Sequence, residues 1–399
     1  MCAVRHNLPR PMSFQLNQLK DFSTPCYVYD TQLLASTLEA IHAEVADRPD
    51  FHVHYAIKAN SNPQILQQIA AAGFGADCVS GGEIKAALAA GFPASGIAFA
   101  GVGKADWEIR LALEQEIGMF NVESVEELTV INELATSLNL RARVSFRINP
   151  NVGAHTHAHI TTGTAENKFG IDMEDMVTVI RMTEAMPLVE FTGLHFHIGS
   201  QLLVMDDFEA LCARVNELQE LLDNQGIYAP NINVGGGLGI DYKAPEKHPI
   251  PDFKAYFSTF KRGLRLRPGQ QVHFELGRAV VGQMGTLLTT TLYVKQGKHK
   301  QFVIVDAGFT DLIRPALYGA HHKIENLTAK EREATAEKAD LQPYDVVGPI
   351  CESSDVFAKG LMLPATRRGD LMAIRSAGAY GETMASGYNC RPLPPAHCL

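Results

Sequence analysis

The 399-residue sequence predicts an α/β protein in which a (β/α)8 barrel of the TIM type is joined to a second, mainly β domain. Three observations support this prediction. Between residues 51 and 278, short β-branched or aromatic runs alternate with stretches of helical apolar period, as in parallel sheets. Eight such runs occur, over a length close to the roughly 250 residues typical of these barrels. Beyond residue 278, strand-like runs continue without long helices between them.

The candidate barrel strands are bounded by turn residues and are FHVHYAIKA (51–59), GADCVS (75–80), GIAFAG (96–101), MFNVES (119–124), RARVSFRINP (141–150), EFTGLHFHIG (190–199), NINVGGG (231–237) and QVHFELGR (271–278). Between them, apolar residues recur every three or four positions, and several stretches end at Gly or Asn, which indicates helices. An open doubly wound sheet shares this alternation and is the alternative. The strand count favours the barrel.

The domain boundaries follow from the point at which strand-like and helical stretches stop alternating. We assign residues 32–280 to the barrel, and residues 1–31 with 281–399 to the β domain. The N-terminal part is included because its run PCYVYD (25–30) is strand-like. The Lys/Glu/Ala-rich stretch AKEREATAEKADL (329–341) is polar, so we predict a loop or an edge there.

Composition excludes several classes of protein. Hydrophobic residues make up 46% and charged residues 20%, which is globular rather than disordered. The formal net charge of −9 argues against a nucleic-acid partner, and the lack of a ~20-residue apolar run argues against a membrane. Residues 1–12 carry no apolar signal-peptide core, and the seven cysteines are scattered without a CxxC pair. These features predict a cytoplasmic protein.

Two charged residues end the first two predicted strands. Lys58 follows the first strand and Asp77 lies at the equivalent end of the second, where barrel enzymes carry their chemistry. Lys58 is either an ordinary strand-end lysine or a Schiff-base lysine, whose amine condenses with an aldehyde. Asp77 either directs that amine or caps the next helix.

Histidines mark the end of the sixth predicted strand. His195 and His197 alternate by two, so we expect both on one face of that strand. They form either a hydrogen-bonded pair or an imidazole stacked on a flat ring, with Ser200 offering a hydroxyl to a phosphate. No third ligand with a fitting scaffold accompanies them, so we predict no metal there. His155, His157 and His159 lie in a Gly/Thr-rich loop and are weak evidence for a metal.

A glycine-rich loop and a carboxylate follow at the seventh and eighth strands. Gly235, Gly236 and Gly237 allow backbone N–H groups to approach an anion, and these loops often bind phosphate in barrels. Glu275 begins ELGR, whose last residue is Arg278. This carboxylate either pairs with a protonated pyridine nitrogen, which keeps such a ring electron-withdrawing, or forms a structural ion pair with the arginine.

The β domain holds a second group of candidates. Cys351 and Glu352 lie in GPICESSD, where the cysteine is either a small core residue or a proton donor. Arg314 and Tyr318 in RPALYG, and Tyr380 in GAYG, are the other polar residues that interrupt strand-like runs.

Twelve motifs in order resemble those of one enzyme family: TPCYVYD, YAIKAN, GADCVSGGE, FRINPNV, HTH, NKFGI, GLHFHIGSQ, NVGGGLGIDY, ELGR, VDAGFTDLIRPALY, GPICESSDVF and GAYGETMASGYN. The chain, from about Thr24 to Pro392, resembles the diaminopimelate decarboxylases, within the alanine-racemase-like (fold type III) class of pyridoxal-phosphate enzymes.

The resemblance implies pyridoxal 5'-phosphate as cofactor, held covalently by Lys58. His197 is then expected to stack on its ring and Glu275 to pair with the ring nitrogen. The remaining cofactor residues implied are Asp77, Arg147, Ser200, Gly235, Gly236, Gly237, Gly277, Arg278 and Tyr380.

The implied reaction converts meso-2,6-diaminopimelate to L-lysine and carbon dioxide, the last step of lysine biosynthesis. Cys351 is then expected to protonate the product, beside Lys58 and His197 as catalytic residues. Residues implied to hold the amino-acid substrate are Arg278, Arg314, Tyr318, Glu352 and Tyr380. The family forms head-to-tail homodimers, so Cys351 and Glu352 are expected to enter the partner's site.

Two departures from the family pattern affect these expectations. Leu276 stands where the family usually has Pro, and the effect we expect is modest because the backbone donors of Gly277 and Arg278 remain. After SGYN the family usually continues through another strand and a helical stretch, whereas here RPLPPAHCL follows, so we expect an open strand edge.

Alternative functions stay open at this point. They are a related amino-acid decarboxylase, a racemase, a lysine-dependent aldolase without cofactor, and a cofactor-binding homologue inactivated by the altered ending. The Cys351–Glu352 pair argues against the racemase, and the glycine loop with Glu275 argues against the aldolase.

Overall fold

The computed structural model describes residues 16–153, 168–333 and 341–399, and these divide into two compact units. One unit, the barrel unit, contains Leu38–Gly239 and Asp252–Val280. The other, the β unit, contains the described residues up to Thr37, Ile240–Pro251 and those from Val281 to Leu399. The predicted boundaries at residues 32 and 280 stay a prediction.

The barrel unit contains a closed barrel of eight parallel strands. Its strands are β2 Phe51–Ala56, β3 Gly75–Cys78, β4 Ile97–Phe99, β5 Met119–Val122, β6 Ala142–Arg147, β7 Val189–His195, β8 Asn231–Asn233 and β9 Gln271–Leu276. Pairing of β2 with both β3 and β9 closes the ring. The predicted barrel is confirmed, and the open doubly wound sheet is wrong.

Helices alternate with these strands. They are α2 Thr31–Val45, which crosses into this unit, α3 Pro63–Ala71, α4 Gly81–Ala90, α5 Asp106–Glu114, α6 Val125–Leu138, α7 Met176–Met182, α8 Met205–Asn224 and α9 Phe253–Gly263. Short polar side chains cap the start of several of them, as when Ser80 accepts a hydrogen bond from the amide of Glu83 at α4. Left-handed residues end two of them, Gly91 for α4 and Asn139 for α6.

A long strand organises the β unit. Strand β10 (Gly285–Gln296) pairs with β1 (Cys26–Tyr29), with β11 (Gln301–Val305) and with β15 (Leu371–Ile374). The sheet continues through β12 Ile324–Asn326, β13 Leu341–Val347 and β14 Val356–Pro364, and this unit also contains the helices α1 Leu16–Leu19, α11 Arg314–Tyr318 and α12 Leu327–Glu333. The N-terminal strand therefore joins the second sheet, as predicted. The short helix α10, Arg278–Val281, follows β9, and all but its last residue belong to the barrel unit.

Two local predictions in the β unit are wrong. An open strand edge was expected from the altered ending, but residues Ala396–Cys398 of that ending form a strand, β16, that pairs in parallel with β1. Residues 329–333, predicted as loop or edge, belong to helix α12, because Ala, Lys and Glu have high helix propensity. Residues 334–340 of that stretch lie outside the described residues.

Apolar burial holds the barrel and its helices together. Phe274 of β9 packs against Phe257 and Phe260 of α9, with ring centroids 5.0 and 5.2 Å apart. Side chains alternate along a strand, so the neighbouring residues His273 and Glu275 lie on the opposite, inner face. Among the described helices, none is long and apolar enough to cross a membrane.

Candidate active site

Lys58 lies just beyond strand β2 rather than on it. The strand ends at Ala56, and a 3-10 turn, Ile57–Ala59, carries the lysine. Its Nζ lies 3.6 Å from Oδ2 of Asp77, which is 1% exposed, whereas the Lys58 side chain is 43% exposed. The amine is therefore accessible while its anionic neighbour is buried.

Asp77 pairs with the Lys58 amine and does not cap the next helix, because Ser80 is the N-cap of α4. Both carboxylate oxygens of Asp77 are buried without a hydrogen-bond partner among the described residues. Burial, reinforced by the charge of Glu275 and opposed by Lys58, raises the pKa of Asp77 to about 7. With a pKa near neutral pH, this carboxylate can gain or lose a proton when the charge of Lys58 or Glu275 changes.

Glu275 forms the polar floor of the barrel. Its Oε1 accepts hydrogen bonds from Nδ2 of Asn121 at 3.0 Å and of Asn233 at 2.7 Å, and its Oε2 lies 3.2 Å from Nε2 of His195. Burial alone raises the pKa of Glu275, but His195, Lys58 and the hydrogen bonding outweigh burial and leave the pKa below its ordinary value. These partners place Glu275 in a local polar network of two amides and an imidazole.

His197 lies two residues beyond the end of strand β7 at His195, and a shared face for the two imidazoles stays a prediction. His197 Nδ1 accepts a 3.5 Å hydrogen bond from the amide of Gly236. Burial, and then the charges of Arg147 and Lys58, hold the pKa of His197 well below its ordinary value. The ring is therefore neutral at physiological pH.

The glycine loop approaches its neighbours closely. A Cβ on Gly235 would lie 2.3 Å from the Phe196 carbonyl oxygen, and one on Gly236 would lie 1.8 Å from that of Glu275. Gly235 and Gly237 have φ of +68° and +105°. Glycine allows both the close backbone contacts and the positive φ angles, so the loop after β8 can turn beside the backbone of Glu275.

Two of the candidate site residues in the barrel unit are arginines, Arg147 and Arg278. Arg278 Nη2 donates to Oγ of Ser200 at 3.0 Å, which joins the end of β9 to the loop after β7. Arg147 pairs with the buried Glu123, with Nη1 to Oε1 at 2.9 Å, and Glu123 also accepts the amide of Gly170 at 2.9 Å.

These barrel residues fit pyridoxal phosphate. The buried Asp77 carboxylate beside an accessible amine suits an aldehyde-holding lysine, and Glu275 is an anion prepared for a cationic ring nitrogen. A neutral imidazole, His197, suits a flat ring, and the glycine loop with Ser200 and Arg278 suits a phosphate.

Arg314, in the β unit, is buried and held by contacts with neighbouring side chains. It is 6% exposed, its Nη1 lies 2.8 Å from Nε2 of His322, and its guanidinium stands 4.8 Å over the ring of Tyr242. His322 is itself fixed by its Nδ1, 2.9 Å from the carbonyl oxygen of Arg375. Tyr318 ends the same short helix, α11, and is half-buried.

Cys351 and Glu352 are exposed in the loop between β13 and β14. Glu352 Oε1 accepts a 2.9 Å hydrogen bond from the hydroxyl of Tyr388. Tyr380 has φ of +57°, a left-handed conformation that is uncommon for a tyrosine and often marks functional loops.

Sequence reasoning missed several supporting residues. Asn121 and Asn233 hold Glu275, Glu123 holds Arg147, and His322 holds Arg314. A lone polar residue near the C-terminal end of a barrel strand was the available signal for the two asparagines and Glu123. The weak metal candidate, His155 with His157 and His159, lies outside the described residues. Elsewhere in the described chain, no cluster of metal-binding side chains occurs.

Comparison with known proteins identifies the family. Residues 34–282 match the model of the pyridoxal-dependent decarboxylase family, pyridoxal binding domain. The chain is a pyridoxal-dependent decarboxylase of the barrel class. It is 62% identical over 384 residues to diaminopimelate decarboxylase of Bacteroides thetaiotaomicron, with 96% of this chain and 97% of the relative covered. It is 42% identical to that of Zymomonas mobilis, over 93% of this chain and 86% of the relative. The chain therefore belongs to the diaminopimelate decarboxylases.

Comparison with solved structures supports the same family. Diaminopimelate decarboxylase of Helicobacter pylori, complexed with L-lysine, superposes with a TM-score of 0.88 at 38% identity, covering 96% of this chain and 93% of that one. Lysine/ornithine decarboxylase of Vibrio vulnificus, complexed with putrescine, gives 0.80 at 20% identity, which shows the fold alone.

Proposed function

We propose that this enzyme decarboxylates meso-2,6-diaminopimelate to L-lysine and carbon dioxide, using pyridoxal 5'-phosphate. The observation that carries the proposal is the anionic Glu275, held by two asparagines and a histidine in the barrel that also holds the Lys58–Asp77 pair. Family membership and the printed names of the relatives support the same reaction.

Different barrel residues would contact different parts of the cofactor. Lys58 would hold the aldehyde carbon, and Asp77 would receive or release a proton beside that amine. Glu275 would keep the ring nitrogen protonated, because a nearby carboxylate stabilises that charge. When bound, pyridoxal phosphate supplies an electron-withdrawing ring that accepts the electron pair left when carbon dioxide departs.

We assign phosphate binding to fewer residues than the sequence alone indicates. The amide of Gly235 donates to Oδ1 of Asn233 at 2.9 Å, and the amide of Gly236 is directed at His197. We therefore assign phosphate binding mainly to Gly237, Ser200 and Arg278, with Gly277 at the start of the adjoining turn. Gly235 and Gly236 then contribute shape rather than donors.

Substrate choice would come from charges in the β unit. The far end of diaminopimelate carries both a carboxylate and an ammonium group. Arg314, buried and fixed by His322, can bind the carboxylate, and Glu352 can bind the ammonium. Tyr318 and Tyr380, also in the β unit, would add further contacts. A diamine precursor such as ornithine lacks the far carboxylate and would leave Arg314 unpaired.

Product protonation requires a donor, and Cys351 is the candidate. Its exposure on the β unit supports a homodimer in which Cys351 and Glu352 of one chain complete the site of the other. We also place the enzyme in the cytoplasm, where a free thiol at this position stays reduced.

The test is release of carbon dioxide and lysine from meso-diaminopimelate by purified enzyme with added pyridoxal phosphate. Ornithine and D-lysine run alongside. Turnover of diaminopimelate alone is the expected result. Turnover of either other substrate would favour a related decarboxylase. No turnover, with the visible absorbance of bound cofactor present, would favour an inactive cofactor-binding homologue.

A further inference from the structure

The segment Tyr388–Cys390, which sequence reasoning did not single out as part of the site, holds the loop that carries Cys351 and Glu352. The hydroxyl of Tyr388 donates to Oε1 of Glu352 at 2.9 Å. Oδ1 of Asn389 accepts the backbone amide of Cys351 at 3.3 Å. Consecutive residues of one segment thus contact consecutive residues of the other, one through a side chain and one through the backbone.

The same two segments are joined a second time through Phe309. The Tyr388 ring is stacked on the Phe309 ring, with centroids 6.0 Å apart and planes at 20°. The amide of Phe309 donates to Oδ1 of Asp355 at 2.7 Å, and Oδ2 of Asp355 accepts the amide of Ile350 at 2.8 Å. A closed set of contacts therefore fixes both ends of the loop and the Tyr388 ring beside it.

The backbone of the segment is held in an uncommon conformation. Asn389 and Cys390 have φ of 55° and 57°, both in the left-handed region. Asparagine tolerates this region, whereas cysteine adopts it rarely and at a cost. Conformations of this kind persist where surrounding contacts fix them, and they cluster at functional sites.

We propose that Tyr388 is a positioning residue that sets substrate specificity by holding the Glu352 carboxylate in place for the far ammonium of the substrate. The inference rests on the role proposed above for Glu352. The phenol occupies one carboxylate oxygen, Oε1, and leaves Oε2 to receive the ammonium. Without this bond, an exposed glutamate has several rotamers, and ordering one of them on binding lowers affinity.

The protonation of the phenol favours this role. The hydrogen bond to Glu352, and then the charge of that carboxylate, raise the pKa of Tyr388. The raised pKa keeps the phenol protonated, and therefore a hydrogen-bond donor, at neutral pH. A phenylalanine would keep the ring and its stack on Phe309 but would lose the donor.

The experiment compares two ligands of the holoenzyme by calorimetry. L-lysine carries the carboxylate and ammonium of the far end, whereas 6-aminohexanoate keeps the carboxylate and lacks that ammonium. Tyr388→Phe is expected to weaken L-lysine binding about fivefold, the effect of one lost hydrogen bond, and to leave 6-aminohexanoate unchanged. In turnover, KM for diaminopimelate is expected to rise by a similar factor with little change in kcat.

The control is Tyr293→Phe, which removes the hydroxyl of another exposed tyrosine in the β unit and is expected to change neither affinity. A double variant, Tyr388→Phe with Glu352→Gln, is expected to bind L-lysine no more weakly than Glu352→Gln alone. Additive losses, or equal losses for both ligands, would overturn the inference.

Failure of the proposed function would give a different result. If Glu352→Gln weakens L-lysine but Tyr388→Phe does not, the positioning role is wrong and the proposed function stands. If Glu352→Gln leaves L-lysine binding unchanged and the wild-type enzyme does not decarboxylate diaminopimelate, the proposed function and this inference are both wrong.

Discussion

Glu275 shows how one carboxylate stays charged inside a barrel. A buried anion is costly unless hydrogen bonds and opposite charges compensate it. Asn121 and Asn233 supply two amide donors to one oxygen, and His195 faces the other. Burial raises the pKa of Glu275, but His195 and then Lys58 lower it by more, so the pKa lies below its ordinary value. The residue is therefore ready to hold a proton on a ring nitrogen instead of taking it.

Replacing this charge should separate cofactor binding from turnover. Glu275→Gln keeps the shape of the side chain but cannot stabilise a ring cation, so we expect kcat to fall by about 10²- to 10³-fold, as when a preorganised electrostatic group is lost. The visible absorbance of lysine-bound cofactor should remain. The control, Glu190→Gln, changes an exposed glutamate on a barrel strand and should leave kcat unchanged. Full turnover by Glu275→Gln would remove the carboxylate from the mechanism.

Asp77 predicts a pH dependence of stability in the cofactor-free protein. Its pKa is raised from 3.8 to about 7, so the folded chain binds a proton that the unfolded chain has already released within that window. Folding stability from this group is therefore present at low pH and is lost as pH rises from about 4 to about 7.

Asp77→Asn should remove this dependence. Its free energy of unfolding relative to wild type should increase by on the order of 2 kcal/mol between about pH 5 and about pH 8, measured by urea denaturation. Taking the difference between the two proteins cancels the other titrating groups. A constant difference across that range would show that Asp77 is ionised throughout.

At the scale of the element, the end of β8 depends on close backbone approach. A Cβ at Gly236 would meet the Glu275 carbonyl oxygen at 1.8 Å, and neither backbone can yield without separating β8 from β9. Gly236→Ala should therefore lower the free energy of unfolding by about 3 kcal/mol, the upper range for overpacking.

Gly103→Ala is the matched control because no atom lies within 4 Å of the added Cβ. Thermal or denaturant unfolding should show a change of no more than about 0.5 kcal/mol for this variant. Equal stability of the two alanine variants would mean that the loop after β8 relaxes freely.

Strand existence was predictable from sequence, whereas strand ends were less so. Alternating β-branched runs identified every barrel strand, but the first was expected to reach residue 59 and ends at Ala56. The 3-10 turn that carries Lys58 has the same apolar composition as the strand before it, so composition does not separate them. The prediction of a loop or edge at residues 329–333 was wrong because it relied on their polarity and neglected their high helix propensity.

Lys58, Asp77, His197 and Glu275 were identified because each ends a predicted strand. Asn121 and Asn233 were not, because an asparagine inside a short strand has no chemistry of its own. Their role arises only when the barrel closes and brings the inner faces of β5, β8 and β9 around one carboxylate. That convergence depends on topology, which a single sequence window does not contain.

At the scale of the whole molecule, the residues proposed for the reaction are distributed over two compact units. Lys58 and Glu275 belong to the barrel unit, and Cys351 belongs to the β unit, where it is exposed to solvent. A proton donor is effective only where water is excluded from the reacting carbon. An exposed thiol therefore needs another surface to enclose it, and the proposed partner chain supplies that surface.

Mixing two inactive variants tests this sharing directly. Lys58→Ala and Cys351→Ala should each release little lysine alone, because one lacks the holding amine and the other the proton donor. Co-expressed with different tags, random pairing makes half of the dimers mixed, and each mixed dimer has one site with both residues, so about a quarter of wild-type lysine release should return. If Cys351 serves the site of its own chain, no mixed dimer has an intact site, and the mixture will stay as inactive as its components.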